Sequence, residues 1–175
     1  VFYDRPLKVE IWYPALLNMD EQEKEVYDEV MGNYNDPKRP LISFQFKGRA
    51  KRDAKIKHSE TPYPLVITSH GYTGSRLMFS YLTEQLASQG YIVVSIDHTD
   101  STFRDAGPFV SKLLNRSLDD LFVLDAMDKL SKDSEAFLFN LLDANNTGII
   151  GYSMGGYGAL NVAGAGYSPQ AVQLF

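Results

Sequence analysis

Polar and apolar residues alternate from Lys8 to Trp12, the period-two pattern of a strand covered on one face. Three later stretches, at about 65–69, 92–96 and 148–152, lack charge and are largely apolar. Strands buried on both faces need that continuous character, so these three are expected to be parallel core strands, with 8–12 an antiparallel strand near the N-terminus. Helical patterns fill the gaps. One helix is expected over about 77–88, stopping at Gly90, and a second over about 118–130, where Leu118, Leu121, Phe122 and Leu124 mark the apolar side. Strands alternating with helices predict an α/β fold with a doubly wound, mostly parallel sheet.

The segment at about 18–60 breaks this rhythm and reads as a charged insertion within one domain spanning 1–175. Its first half is acidic and helix-like, with Asp20, Glu21, Glu23, Glu25, Asp28 and Glu29 ending at Gly32. Its second half carries Lys38, Arg39, Lys47, Arg49, Lys51, Arg52, Lys55 and Lys57. A solvated excursion with self-compensating charge fits, as does a cap over an acyl pocket or a surface for a partner or an anionic lipid interface. The pattern does not choose between them.

Composition narrows the chemistry. A content of 44% hydrophobic and 22% charged residues describes a globular chain. The net charge of −5 argues against nucleic acid as a general partner. The absence of cysteine excludes disulfides, thiolate nucleophiles and cysteine zinc sites within this span. The charge-free stretch from Ala144 to Phe175 is broken by glycines, asparagines and Pro169, so no transmembrane segment is expected there.

Two motifs fall at the ends of predicted strands, where such sheets bind ligands. Thr147-Gly148-Ile149-Ile150 leads into Gly151-Tyr152-Ser153-Met154-Gly155, and small residues suited to a helix follow. A strand that turns into a helix so abruptly leaves no room for side chains beside the turn, and glycines at 151, 155 and 156 meet that demand. Ser153 is then raised above the sheet as a candidate nucleophile. The next helix would point N–H groups at the place where an oxyanion forms. The second motif, His70-Gly71-Tyr72-Thr73-Gly74, follows the strand at about 64–69. His70 itself reads as a packing and hydrogen-bonding residue rather than a base. Asp97, His98 and Asp100 read as loop-stabilising, and Arg116 with Asp119 as a capping or loop-anchoring pair. Asn115-Arg116-Ser117 and Asn145-Asn146-Thr147 match the glycosylation pattern and read as coincidental.

Together with Val9-Glu10-Ile11-Trp12-Tyr13-Pro14-Ala15 and the stretch from Leu86 to Thr102, these motifs resemble the α/β-hydrolase superfamily. Within it the likeness is to the branch of platelet-activating-factor acetylhydrolases, dienelactone-hydrolase-like proteins and cutinase-like polyester hydrolases. The resemblance implies an α/β-hydrolase fold and a serine-dependent carboxylic ester hydrolase working through an acyl-enzyme on Ser153. It implies an oxyanion hole made by the backbone N–H groups of Tyr72 and Met154, with no metal and no cofactor. The partner is a small-molecule or lipid-like ester: short-chain, phospholipid-derived, lactone or polyester. A non-catalytic ligand- or protein-binding module, or an acyltransferase, would share the same elbow.

One departure stands out. In this fold the order along the chain is serine, acid, histidine. His58, His70 and His98 all precede Ser153, and no Asp, Glu or His occurs from Met154 to Phe175. The expectation is therefore the N-terminal part of a longer hydrolase, its sheet truncated before the last strands, and inactive as residues 1–175 alone.

Overall fold

The computed structural model describes residues 5–17 and 24–172. In chain order its elements are β1 (Lys8–Trp12), β2 (Val26–Met31), β3 (Ile42–Lys47), β4 (Tyr63–Ser69), α1 (Ser80–Ser88), β5 (Ile92–Asp97), α2 (Phe109–Lys132), β6 (Leu142–Gly151) and α3 (Met154–Leu160). A π-helical turn at Asn161–Ala165 and α4 (Pro169–Val172) follow. The main sheet has the order β1-β5-β4-β6, with β1 antiparallel to β5 and the other neighbours parallel.

Both faces of that sheet are covered, which is why its central strands read as continuous apolar runs. Leu65 and Ile67 of β4 and Ile92, Val94 and Ile96 of β5 pack with Val123 and Met127 of α2. The alternate residues, Val66 and Val93, face the other way, onto Trp12, Tyr27, Leu77 and Ala87. The sheet is thus doubly wound, as the alternation of elements predicts. Pairing of β4 with β6 slips between Pro64 and Leu65, where Asp143 and then Thr147 are the successive partners. Proline has no N–H for the ladder, and the extra residues of β6 bulge out there.

α2 starts at Phe109, nine residues before the expected boundary, and its buried face is not the expected one. Leu118, Leu121 and Phe122 are exposed. The buried stripe is Lys112, Arg116, Asp119, Asp120, Val123 and Met127, which keeps helical spacing but is polar through its first half. Arg116 and Asp119 therefore lie within the helix and cap nothing, but they do anchor the loop after β5: Arg116 reaches Ser101 and Asp119 pairs with His98.

The acidic helix expected within 18–32 is also overturned where it is described. Residues 26–31 form β2, paired antiparallel with β3, while residues 18–23 lie outside the described residues. Only Tyr27 and Val30 of β2 are buried, three positions apart, a spacing that does not follow strand alternation, so nothing in the local pattern marks this segment as a strand. Tertiary contacts decide the outcome: the Tyr27 hydroxyl accepts from Trp12 Nε1 at 2.9 Å and donates to Glu84 Oε1 at 2.8 Å. Part of the charge in this hairpin region is self-compensating, since Arg52 pairs with Glu25 and with Glu10 of β1.

Candidate active site

Ser153 stands between β6 and α3 with φ 53° and ψ −116°, a left-handed conformation that side-chain-bearing residues rarely adopt. The chain can turn so sharply because Gly155 lies against β4: a Cβ there would sit 1.9 Å from the Ser69 carbonyl oxygen. The Tyr152 N–H donates to that same oxygen at 3.1 Å, and the Gly155 N–H donates to the Tyr152 carbonyl at 2.8 Å. The turn is thus pinned to the end of β4, and the Ser153 side chain is exposed.

The His70-Gly71-Tyr72 loop lies beside it. A Cβ on Gly71 would be 3.3 Å from Ser153 Cβ, so the loop backbone passes within van der Waals reach of the serine. Neither the Tyr72 nor the Met154 N–H donates to a backbone carbonyl among the described residues. Donors left free beside an exposed serine are what an oxyanion requires. His70 is fully buried: its Nδ1–H donates to the Gly71 carbonyl at 2.6 Å and its Nε2 accepts from the His98 N–H at 3.3 Å. Burial, with His98 and Arg116 nearby, holds its pKa well below the usual histidine range.

Beneath the elbow lies a second polar constellation. His98 Nε2 is 2.9 Å from Ser69 Oγ, and His98 Nδ1 is 3.0 Å from Asp119 Oδ2. With Nδ1–H donating to the carboxylate, Nε2 accepts from the serine. Burial, then Arg116 and Arg5, keeps this imidazole neutral by pushing its pKa well down. Burial pushes Asp119 up to about 6 against the opposing pull of Arg5 and Arg116. It pushes Asp120 up to about 7, with Arg116 again opposing. Arg116 donates from Nη2 to Ser101 Oγ at 2.6 Å, and Arg5 bridges Asp100 and Asp119, each at 3.0 Å. This cluster joins β4, the loop after β5 and α2 under the turn that carries Ser153.

Sequence comparison points the same way as the geometry. Residues 41–117, less than half of the chain, match the family platelet-activating factor acetylhydrolase, isoform II. Cutinase est1 of Thermobifida alba is 33% identical over 101 residues, covering 58% of this chain and 30% of that protein. Cutinase cut1 of Thermobifida fusca is 32% identical over 101 residues, 58% of this chain and 28% of its own. The platelet-activating factor acetylhydrolase of Gallus gallus is 38% identical over 53 residues, 30% of this chain and 12% of its own. The chain resembles the α/β-hydrolase esterases. Its match spans under a third of these curated relatives. A solved ferulic acid esterase from Streptomyces cinnamoneus is similar at a TM-score of 0.49 and 20% identity, covering 86% of this chain and 58% of that one.

In α/β-hydrolase terms the structure brings together Ser153, Met154 and the Tyr72 loop, as the motifs imply. His70 and His98 are each buried and committed to other partners. Asp97 accepts from the Arg76 backbone and guanidinium, and Asp100 from Arg5, so both serve the loops, as read from the sequence. Ser69, Lys112, Asp119 and Asp120 were missed as members of the site's foundation. The signal that could have found them is the helical spacing of polar residues at 112, 116, 119 and 120. Among the described residues no group of three potential metal ligands gathers, and no helix is long and apolar enough to cross a membrane.

Proposed function

We propose that the chain carries the nucleophile and oxyanion hole of a serine-dependent carboxylic ester hydrolase. The observation that carries this reading is the strained, exposed Ser153 beside the Gly71–Tyr72 backbone. Backbone strain at an exposed polar residue persists only when surrounding structure enforces it, and such strain gathers at active sites, ligand clamps and switch regions. Ser153 Oγ attacks the ester carbonyl, and the tetrahedral oxyanion is held by the N–H groups of Tyr72 and Met154. Collapse expels the alcohol, which takes up the proton lost by the serine, and water then releases the acid from the acyl-enzyme. A short-chain or phospholipid-derived acyl ester is the leading substrate class, since the relatives named above include acetylhydrolases as well as cutinases.

The general base is proposed to be a histidine oriented by a carboxylate, both outside residues 1–175, because His70 and His98 are spent on buried contacts. Residues 1–175 alone are accordingly proposed to be inactive. The deciding experiment treats the intact protein with a fluorophosphonate and maps the modified peptide. Labelling at Ser153, competed by a p-nitrophenyl ester, is expected. A label on another residue, or none on folded protein that turns over ester, removes the assignment.

A further inference from the structure

The loop that carries Tyr72 is itself strained. Thr73, a β-branched residue, sits at φ 50°, a conformation that needs contacts on more than one side to hold it. Inside, the loop backs onto His70: a Cβ on Gly74 would lie 2.8 Å from His70 Nδ1. Outside, it meets the first turn of α2. The rings of Tyr72 and Phe109 are 5.9 Å apart, and Lys112 Nζ sits 4.0 Å from the Tyr72 ring centroid.

Lys112 is only 2% exposed, and its ammonium has no hydrogen-bond partner among the described residues. A buried ammonium without an acceptor is costly, and the negative face of an aromatic ring is the compensation at hand. Lysines farther along the same helix behave differently. Lys129 and Lys132 point into solvent, each paired with an aspartate one turn back. Lys112 could have done the same from a helix surface, yet it turns inward onto the ring.

We propose that Lys112 is a positioning residue for the oxyanion loop, clamping the Tyr72 ring from α2 and so fixing the turn at Gly71–Thr73 against Ser153. The inference rests on the reading of the Tyr72 N–H as an oxyanion donor. It assigns the polar start of the buried α2 stripe a role in the chemistry. The clamp acts on the transition state and not on substrate capture, because the N–H engages the oxyanion only after attack.

The test is steady-state turnover of a p-nitrophenyl ester by the intact protein and its variants, with thermal melts as the folding control. Lys112→Met keeps the volume and removes the cation. It is expected to lower kcat about tenfold with KM within about twofold, a loss confined to the transition state. Lys112→Arg retains a cation over the ring and is expected to recover most of that loss. Lys112→Gln gives the same readout should the thioether disturb packing. In a Tyr72→Leu background, Lys112→Met is expected to cost less than about twofold, because the ring it acts through is gone. An unchanged kcat in Lys112→Met, or an equal loss in both backgrounds, overturns the clamp. Tyr72→Pro separates this from the parent reading. A drop of about 10² to 10³ there with no effect of Lys112→Met overturns the clamp alone. An unchanged kcat in Tyr72→Pro overturns the oxyanion reading and the clamp together.

Discussion

Two serines at the ends of neighbouring strands occupy opposite situations. Ser69, closing β4, is fully buried and hydrogen-bonded to His98, which is bonded in turn to Asp119. Ser153, just past β6, is exposed and strained, and no histidine among the described residues pairs with it. By connectivity alone Ser69 heads a serine–histidine–aspartate chain. Connectivity is not what makes a nucleophile. An attacking oxygen needs access to a carbonyl and donors placed where negative charge develops, and of the two serines only Ser153 is exposed, which is why it is the one proposed as nucleophile. The buried chain has a different use: it satisfies polar groups that the sheet, the loop after β5 and α2 would otherwise strand under the elbow.

The largest expected effect separates the two directly. Ser153→Ala should lower kcat for ester hydrolysis by about 10⁴-fold, or about 5.5 kcal/mol of transition-state stabilisation, with the fold intact. Ser69→Ala should keep kcat within about tenfold, since its carbonyl and not its hydroxyl holds Tyr152. Turnover measured on both variants decides: the reverse ranking would make the buried chain the catalytic one.

Next in size is the stability of that chain. His98→Ala leaves the Ser69 hydroxyl and the Asp119 carboxyl buried without their shared partner. A loss of about 2 to 4 kcal/mol in urea unfolding is expected, from the unpaired Ser69 hydroxyl and the emptied imidazole site, Asp119 keeping its pair with Arg5. Ser153 should still react with a fluorophosphonate in the fraction that remains folded. A loss below about 1 kcal/mol would mean that water takes over the imidazole's bonds and that the chain is not structural.

The same contrast explains what the sequence made legible. The elbow could be read because its turn tolerates only small residues at fixed offsets, and Gly151 and Gly155 are irreplaceable for steric reasons visible in one dimension. The core strands could be read because burial on two faces demands unbroken apolar runs. The foundation under the elbow could not. Its helix buries Lys112, Arg116, Asp119 and Asp120 and exposes Leu118, Leu121 and Phe122, so a search for apolar periodicity finds the wrong face and starts the helix too late. In β2 the buried residues Tyr27 and Val30 are three positions apart, so no period-two alternation marks the strand within its acidic run. Where partners supplied by distant residues make polar burial affordable, local pattern fails.

A smaller effect concerns pH. Burial raises Asp120 from 3.8 to about 7, so between about pH 4 and 7 the folded protein keeps a proton that the unfolded chain has released. The unfolded state binds fewer protons there, and this group's contribution to stability falls as pH rises through the window, then levels off. His70 and His98, held neutral by burial, work in the opposite direction below about 6.5 and mask the trend in the parent protein. Asp120→Asn removes the carboxyl and leaves the histidines. The stability of the variant relative to the parent should therefore rise by about 1 to 3 kcal/mol from pH 5 to pH 8. Urea unfolding at both pH values measures it. A difference independent of pH would show that Asp120 is ionised in both states.

The smallest expected effect sharpens the contrast at the loop beside Ser153. The Tyr72 phenol makes no hydrogen bond among the described residues, and the half-exposed ring meets Phe109 and Lys112 through its face and edges. If the backbone N–H is the group that meets the oxyanion, the hydroxyl is dispensable. Tyr72→Phe keeps that N–H, keeps a π face for the Lys112 ammonium, and changes neither the strain at Thr73 nor the approach of Gly71 to Ser153. It should therefore leave kcat within about threefold, under about 1 kcal/mol, and leave KM nearly unchanged. A loss of about 10²-fold in a folded Tyr72→Phe variant would place the phenol itself in the reaction, as a donor to the oxyanion or to the leaving group. The serine assignment would survive that result, but the oxyanion hole would be one of side chain and backbone together rather than of two backbone donors.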